Sequence, residues 1–166
     1  AHTVNLDKLF TEFNSTLTNF HDEHGMANSR ARLRMITLYQ VAAAHKGIVV
    51  GTGNKVEDFG VGFYTKYGDG GVDLSPIADL MKSEVFALGF LLKVPKTIQS
   101  AAPTDGLFGD NRTDEEQIGA SYDELEWAMK MKEQGKTPDD FKNREQIVFD
   151  LFLRLKRLAG QRMTNA

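Results

Sequence analysis

The residues of this chain that could carry chemistry are concentrated between Gly51 and Lys82. Gly51-Thr52-Gly53-Asn54-Lys55 follows the short β-branched run Ile48-Val49-Val50. Glycines in such a place let the backbone approach a ligand closely. The spacing is neither G-x-G-x-x-G nor G-x-x-x-x-G-K-S/T, so a Rossmann fingerprint and a Walker loop are both excluded by pattern. Glu57 and Asp58 come next. Paired carboxylates beside a phosphate-binding loop can hold Mg2+, a hard cation that takes oxygen ligands; as first-turn acids they would equally suit a helix dipole. Thr65 to Asp73 then joins Lys66 and Asp69 to Gly68, Gly70 and Gly71. That is more glycine than a tight turn needs. It points to a mobile loop that orders on a ligand, against the plainer reading of a solvated loop. Lys82 falls at a helix start, where a cation is unfavourable, and a ligand anion nearby would account for it.

Other candidates are weaker. Arg30, Arg32 and Arg34 alternate along a helix and point in different directions. They are either solvated surface, or one of them meets a phosphate or carboxylate bidentately near the helix N-terminus. His21, Glu23 and His24 lack H-E-x-x-H spacing, and neighbours in sequence do not face one another on a helix. They read as a solvated helix end. Pro103-Thr104-Asp105-Gly106 is a turn signature.

The elements that must position these residues are mostly helical. Apolar groups at Leu6, Leu9, Phe10, Phe13, Leu17 and Phe20 have helical spacing with one face to bury. A second helix over Asn28 to His45 stops at Gly47. The run Ile48-Val49-Val50 is continuously apolar, which predicts a central strand buried on both faces. A helix followed by such a strand is half of a βαβ unit and favours a parallel sheet. The loop after Val50 would then lie at the carboxyl end of a strand, where open α/β sheets bind ligands. Further helices are predicted over Asp79 to Leu92, Pro95 to Gln99 and Tyr122 to about Gln134. A long last one carries Ile147, Val148, Leu151, Phe152 and Leu155. Thr113 with Glu116, and Ser121 with Glu124, have capping-box spacing. Gln161 to Ala166 is polar and expected to fray. With one clear strand, the chain reads as part of a larger α/β domain.

Composition sets the outer limits. The chain has 166 residues and a net charge of −3, so no basic field is present for nucleic acid or an anionic membrane. It has no cysteine, which removes disulfides, thiolate metal sites and thiol nucleophiles, and makes a reducing compartment its natural home. No apolar run reaches the ~20 residues that span a bilayer, and the first residues do not read as a signal peptide. A cytoplasmic location is expected.

Taken in order, the pieces resemble the NAD synthetase family. The matching residues are Asn28 to Met35, Gly51 to Glu57, Gly62 to Leu74 with its T-K-Y-G-D-G-G core, then Pro76 and Lys82. Pro103 to Leu107, Asp114-Glu115-Glu116 and Ile118 to Asp123 follow. The resemblance runs from about residue 26 to 134. It implies a doubly wound parallel α/β sheet flanked by helices, of the adenine-nucleotide α-hydrolase-like type and here incomplete. Residues 1–166 would then be a single domain, the C-terminal part of an NAD synthetase-like domain.

The activity it implies is ATP-dependent amidation of nicotinic acid adenine dinucleotide (deamido-NAD) with ammonia, through an acyl-adenylate, with Mg2+ as the metal. Thr52, Lys82 and Thr104 would contact ATP, and Glu57 would hold the metal. Arg32, Lys66, Asp73 and Asn28 would hold deamido-NAD. Lys82 and Asp69 would act in catalysis, Lys82 by gripping phosphates and Asp69 near the point of ammonia attack. The resemblance also implies a homodimer.

The chain departs from the family in lacking its Ser-Gly-Gly-x-Asp-Ser phosphate loop and its C-terminal His-Lys pair. It also carries one residue more between Glu57 and Gly62 than the shorter bacterial members. Truncation accounts for the two absences better than decay, because the other motifs stand intact together; a piece of this length should not make NAD by itself. Another AMP-forming ligase of the same fold and a non-catalytic relative are the alternatives.

Overall fold

The computed structural model describes residues 1–110 and 112–164. They form two compact units. The first comprises Ala1–Thr52, Tyr64–Pro76 and Gly106–Asp110, and the second Gly53–Phe63, Ile77–Asp105 and Asn111–Ala166.

The first unit is built on two helices, α1 (Asp7–Thr16) and α2 (Glu23–Ala44), with a 3-10 turn at Thr18–Phe20 between them. Asp22 caps α2 by accepting the Gly25 N–H at 2.6 Å, the acceptor role that Asx residues play at helix starts. α2 buries Met26, Ala27 and Ala31. Its end differs from expectation: Lys46, with φ of 55°, takes the left-handed place that glycine usually takes, and the Gly47 N–H returns to the Ala42 carbonyl at 2.8 Å. α1 fully buries no residue: Leu6, Phe10, Phe13 and Leu17 of the predicted apolar face are half-buried, while Leu9 and Phe20 are exposed.

The predicted strand is reduced to one parallel bridge between Val50 and Leu74. The Gly51 N–H donates to the Leu74 carbonyl at 2.7 Å and the Asp73 N–H to the Val49 carbonyl at 2.9 Å. Among the described residues no longer strand forms. Val49 is 6 % exposed while Ile48 and Val50 are 61 % and 53 % exposed. Burial on both faces is therefore corrected. Extended backbone turns alternate side chains to opposite sides, and here one side is covered. Gly51 is required by packing, since a Cβ there would come within 2.8 Å of Val72.

The second unit is helical. It contains a π-helical segment Val56–Val61, then α3 (Lys82–Leu91), α4 (Lys96–Gln99), α5 (Asp114–Ile118), α6 (Tyr122–Glu133) and α7 (Asn143–Thr164). Both predicted capping boxes form. Glu116 accepts the Thr113 N–H at 2.7 Å and Glu124 accepts the Ser121 N–H at 2.9 Å, with the reciprocal bonds present. Leu125, Phe149 and Phe152 are fully buried in one core with Val56, Met129 and Val148. Each such large apolar side chain contributes about 1.5–3 kcal/mol on burial. α7 runs through Thr164 and so takes in part of the stretch expected to fray, and Asn165 and Ala166 lie outside the described residues.

The π segment closes each turn with one residue more than an α turn. Gly62, with φ of 67°, ends the segment in the left-handed region, and the Ala159 methyl of α7 occupies the place a Cβ would take. None of the described helices is long and apolar enough to cross a membrane.

Candidate functional site

In the second unit a polar knot forms around Glu57. Asn54 is 2 % exposed, and its Oδ1 accepts the N–H groups of Val56 at 3.0 Å and Glu57 at 3.2 Å. It starts the π segment as an N-cap would and so fixes the Glu57 backbone. The Glu57 side chain then meets two donors at Oε1, Lys82 Nζ at 2.9 Å and the Tyr122 hydroxyl at 2.6 Å. Lys82 also lies over the face of the Tyr122 ring, 4.5 Å from its centroid, a favourable place for an ammonium. Both ends of the Lys82–Glu57 pair are largely withdrawn from water, with side-chain exposures of 17 % and 14 %.

Asp114 completes the knot. Its Oδ2 accepts the Tyr122 hydroxyl at 3.2 Å, while Oδ1 is buried with no hydrogen-bond partner. Burial is the main reason its carboxyl is pushed above the usual carboxylate range. The Tyr122 hydrogen bond opposes that shift, and the charges of Glu57 and Asp105 add to it. Burial also pushes the Tyr122 hydroxyl up, reinforced by its hydrogen bond to Glu57. The phenol therefore stays protonated and acts as a donor.

Lys82 sits at the first position of α3, and its unfavourable helix-start charge is answered by Glu57. That protein carboxylate, rather than a ligand, accounts for the placement. An ammonium has three donors, so one spent on Glu57 leaves others able to turn toward an anion. Thr104 is in this unit too, exposed, with its hydroxyl on the Arg112 carbonyl at 3.1 Å. The Asp114 N–H reaches the Pro103 carbonyl at 3.0 Å, so the turn carrying Thr104 is tied to the start of α5. Asp58 packs against Gly53, where any side chain would collide with its carboxylate.

The residues expected to hold deamido-NAD lie in the first unit. Thr65 is buried, and its hydroxyl donates to Asn28 Oδ1 at 2.7 Å. Asp69 accepts the Thr65 N–H at 2.9 Å, and Gly68 and Gly71 close the following turns. The glycine-rich stretch is thus a bonded turn against α2. Gly68 is there because a Cβ would come within 2.9 Å of both Thr65 and Ala31, so close packing explains a glycine read as a sign of mobility. Arg32 Nε donates to the Lys66 carbonyl at 3.2 Å. Asp73 accepts the Val49 N–H at 2.8 Å and the Tyr39 hydroxyl at 3.2 Å. The arginines do not all diverge: Arg30 and Arg34, one helical turn apart, share a face of α2 and donate to the adjacent carbonyls of Leu107 and, at 3.4 Å, Gly106, while Arg32 alone points elsewhere. Thr52, exposed, is the last residue of this unit before Gly53.

Lys82, Glu57 and Thr104 thus share one unit, and Asn28, Arg32, Thr52, Lys66, Asp69 and Asp73 the other. Sequence reasoning gave no role to Asn54, Asp114, Tyr122 or Glu126. A signal existed for Asn54, which stands three residues before Glu57 at capping-box spacing. Tyr122 and Glu126 are one helical turn apart, but periodicity places them with the core and gives no hint of polar partners.

The donor set suits a hard divalent ion held chiefly by a ligand's own phosphates. Among the described residues no group of three or more His, Asp or Glu side chains converges on one point, so a protein cage is absent. Glu57 offers Oε2, whose bond from the Asn54 N–H is long at 3.4 Å. One or two carboxylates completed by phosphate and water oxygens is the usual arrangement for Mg2+.

Residues 1–162 match the family model described as NAD synthase. An NH3-dependent NAD+ synthetase of Picrophilus torridus is 39 % identical over 153 residues, covering 91 % of this chain and 59 % of that protein. Among solved structures, an NMN synthetase from Francisella tularensis is similar with a TM-score of 0.81 and 31 % identity, over 96 % of this chain and 62 % of that one. An NH3-dependent NAD synthetase from Campylobacter jejuni shares the fold at 23 % identity, with a TM-score of 0.66 over 95 % and 61 % of the two chains. The chain spans about three fifths of the length of these proteins.

Proposed function

The chain belongs to the NAD synthase family, and from that premise we propose that the protein containing it converts deamido-NAD to NAD with ATP and ammonia. A carboxylate oxygen of the acid attacks the α-phosphorus of ATP and pyrophosphate leaves. Ammonia then attacks the acyl carbon, and AMP leaves with the transferred oxygen. Both substrates of the first step are anions, so the site must supply cations where they meet.

The observation that carries this reading is the Lys82–Glu57–Tyr122 knot. It holds a compact ammonium at a helix start, with donors to spare for phosphate oxygens. Thr52 and Thr104 contribute hydroxyls to ATP. Glu57 would hold Mg2+, and the bound ion would neutralise phosphate charge. Arg32, Lys66, Asp73 and Asn28 hold the acid. The bonds of Asp73 to Val49 and Tyr39 leave its carboxylate further lone pairs for a ligand. Asp69 acts near ammonia from its turn at Thr65.

The fold behind this reading is one doubly wound parallel α/β domain over residues 1–166, supported by the parallel sense of the Val50–Leu74 bridge. The family resemblance supports a homodimer, and the cysteine-free composition a cytoplasmic protein. A second reading keeps the chemistry and changes the acid: the mononucleotide replaces the dinucleotide, as the likeness to an NMN synthetase favours.

The test is turnover by the full-length protein with ATP, Mg2+ and ammonium, offered each acid separately. Amide formation from deamido-NAD, with AMP and pyrophosphate released one for one, is expected. Turnover confined to the mononucleotide would move the assignment to the second reading, and turnover of neither would overturn both.

A further inference from the structure

Lys82 reaches its place only if the first turn of α3 is held at one rotation, and α6 does the holding. Met81, the residue before the helix, has no side-chain oxygen to cap it; Glu84 takes the Met81 N–H at 2.7 Å. A further donor of the first turn, the Ser83 N–H, goes to Glu126 Oε1 at 2.8 Å, and the Ser83 hydroxyl goes to Glu126 Oε2 at 2.7 Å. Glu126 is 4 % exposed. A buried carboxylate costs free energy unless its oxygens are satisfied, and here both are spent on the residue that follows Lys82. One helical turn earlier on the same face of α6, Tyr122 puts its ring under the Lys82 ammonium and its hydroxyl on the carboxylate that pairs with it. Two contacts from one helix therefore fix the backbone and the head group of one lysine.

We propose that Tyr122 and Glu126 are positioning residues for Lys82, with Tyr122 sharing Glu57 Oε1 so that the lysine is held by the pair and still able to turn to phosphate. This rests on the reading of function given above. Without the hydroxyl, Glu57 has Lys82 as its sole close donor at Oε1 and draws the ammonium toward itself. Without the Glu126 oxygens, the Ser83 N–H and hydroxyl lose their anchor and the first turn of α3 is free to rotate. Either change acts through Lys82, where phosphate charge is met during transfer, so the loss falls on kcat more than on the KM for ATP.

The experiment compares full-length wild type with Tyr122→Phe, Glu126→Gln and Glu126→Met, each checked for an unchanged cooperative unfolding transition. Tyr122→Phe keeps the ring and is expected to lower kcat roughly tenfold with the KM for ATP within about threefold, the size usual for outer-shell partners of a functional group. Glu126→Gln keeps an acceptor for the Ser83 N–H and is expected to stay within about threefold of wild type. Glu126→Met fills the volume without the acceptors and is expected to fall roughly tenfold. A merely structural role predicts that Gln and Met perform alike. Equal rates for those two, or a Tyr122→Phe rate equal to wild type, would overturn the proposal while leaving the reaction assignment intact. A wild-type protein without turnover would instead overturn the assignment on which the proposal rests. If Glu126→Met does not fold, the Tyr122→Phe result decides.

Discussion

A cation in the first turn of a helix is a liability unless something negative meets it. Glu57 meets Lys82 at 2.9 Å, and Tyr122 shares the same oxygen at 2.6 Å. Lys82→Ala in the full-length protein is therefore expected to lower kcat by about 100-fold or more and to leave Glu57 with Tyr122 alone at Oε1. Steady-state kinetics with ATP and deamido-NAD would check it, and a variant within a few-fold of wild type would remove Lys82 from the reaction. The oddity of this lysine was legible in the sequence, because charge and helix position are both local properties. Its neighbours were not. Asp114 and Tyr122 come to Glu57 across 57 and 65 positions of chain, and no local pattern encodes that meeting. A carboxylate with one buried, unpartnered oxygen is likewise a property of packing alone.

At the scale of elements, the caps were the most readable features. Thr113 with Glu116 and Ser121 with Glu124 mark the starts of α5 and α6, because each cap satisfies donors within its own first turn. Glu124 does a second task by pairing with Arg144 of α7 at 2.6 Å, and its carboxyl is lowered to about 2 from an ordinary 4.5. The Arg144 hydrogen bond is the largest cause. A lowered folded-state value means that the contribution is complete above about pH 4.5 and is lost as pH falls toward about 2. Glu124→Gln removes it, so the stability gap between wild type and variant should be widest near neutrality and close across that window. Denaturant unfolding of the full-length proteins at a series of pH values would show this; a gap independent of pH would contradict it. The elements that eluded sequence reading are those set by distant partners. Ile48-Val49-Val50 is β-branched enough to be a central strand, yet only Val49 is covered. The glycines after Thr65 looked like freedom, and Gly68 is instead a close contact with α2. The π segment has no period of its own in so short a stretch.

The whole molecule is a member of the NAD synthase family that covers about three fifths of its relatives' length. Family membership was legible because the T-K-Y-G-D-G-G run, the glycine loop and Lys82 keep their order along the chain. The arrangement into two units was not, because units are defined by contacts among segments far apart in sequence. In the reaction proposed for the full-length protein, the acid's carboxylate oxygen passes to the α-phosphorus of ATP and leaves with AMP. The most direct measurement gives the full-length protein deamido-NAD labelled with 18O in its carboxylate, together with ATP, Mg2+ and ammonium, and weighs the AMP produced. One 18O atom per AMP is expected. Unlabelled AMP, or label recovered in pyrophosphate, would contradict the account.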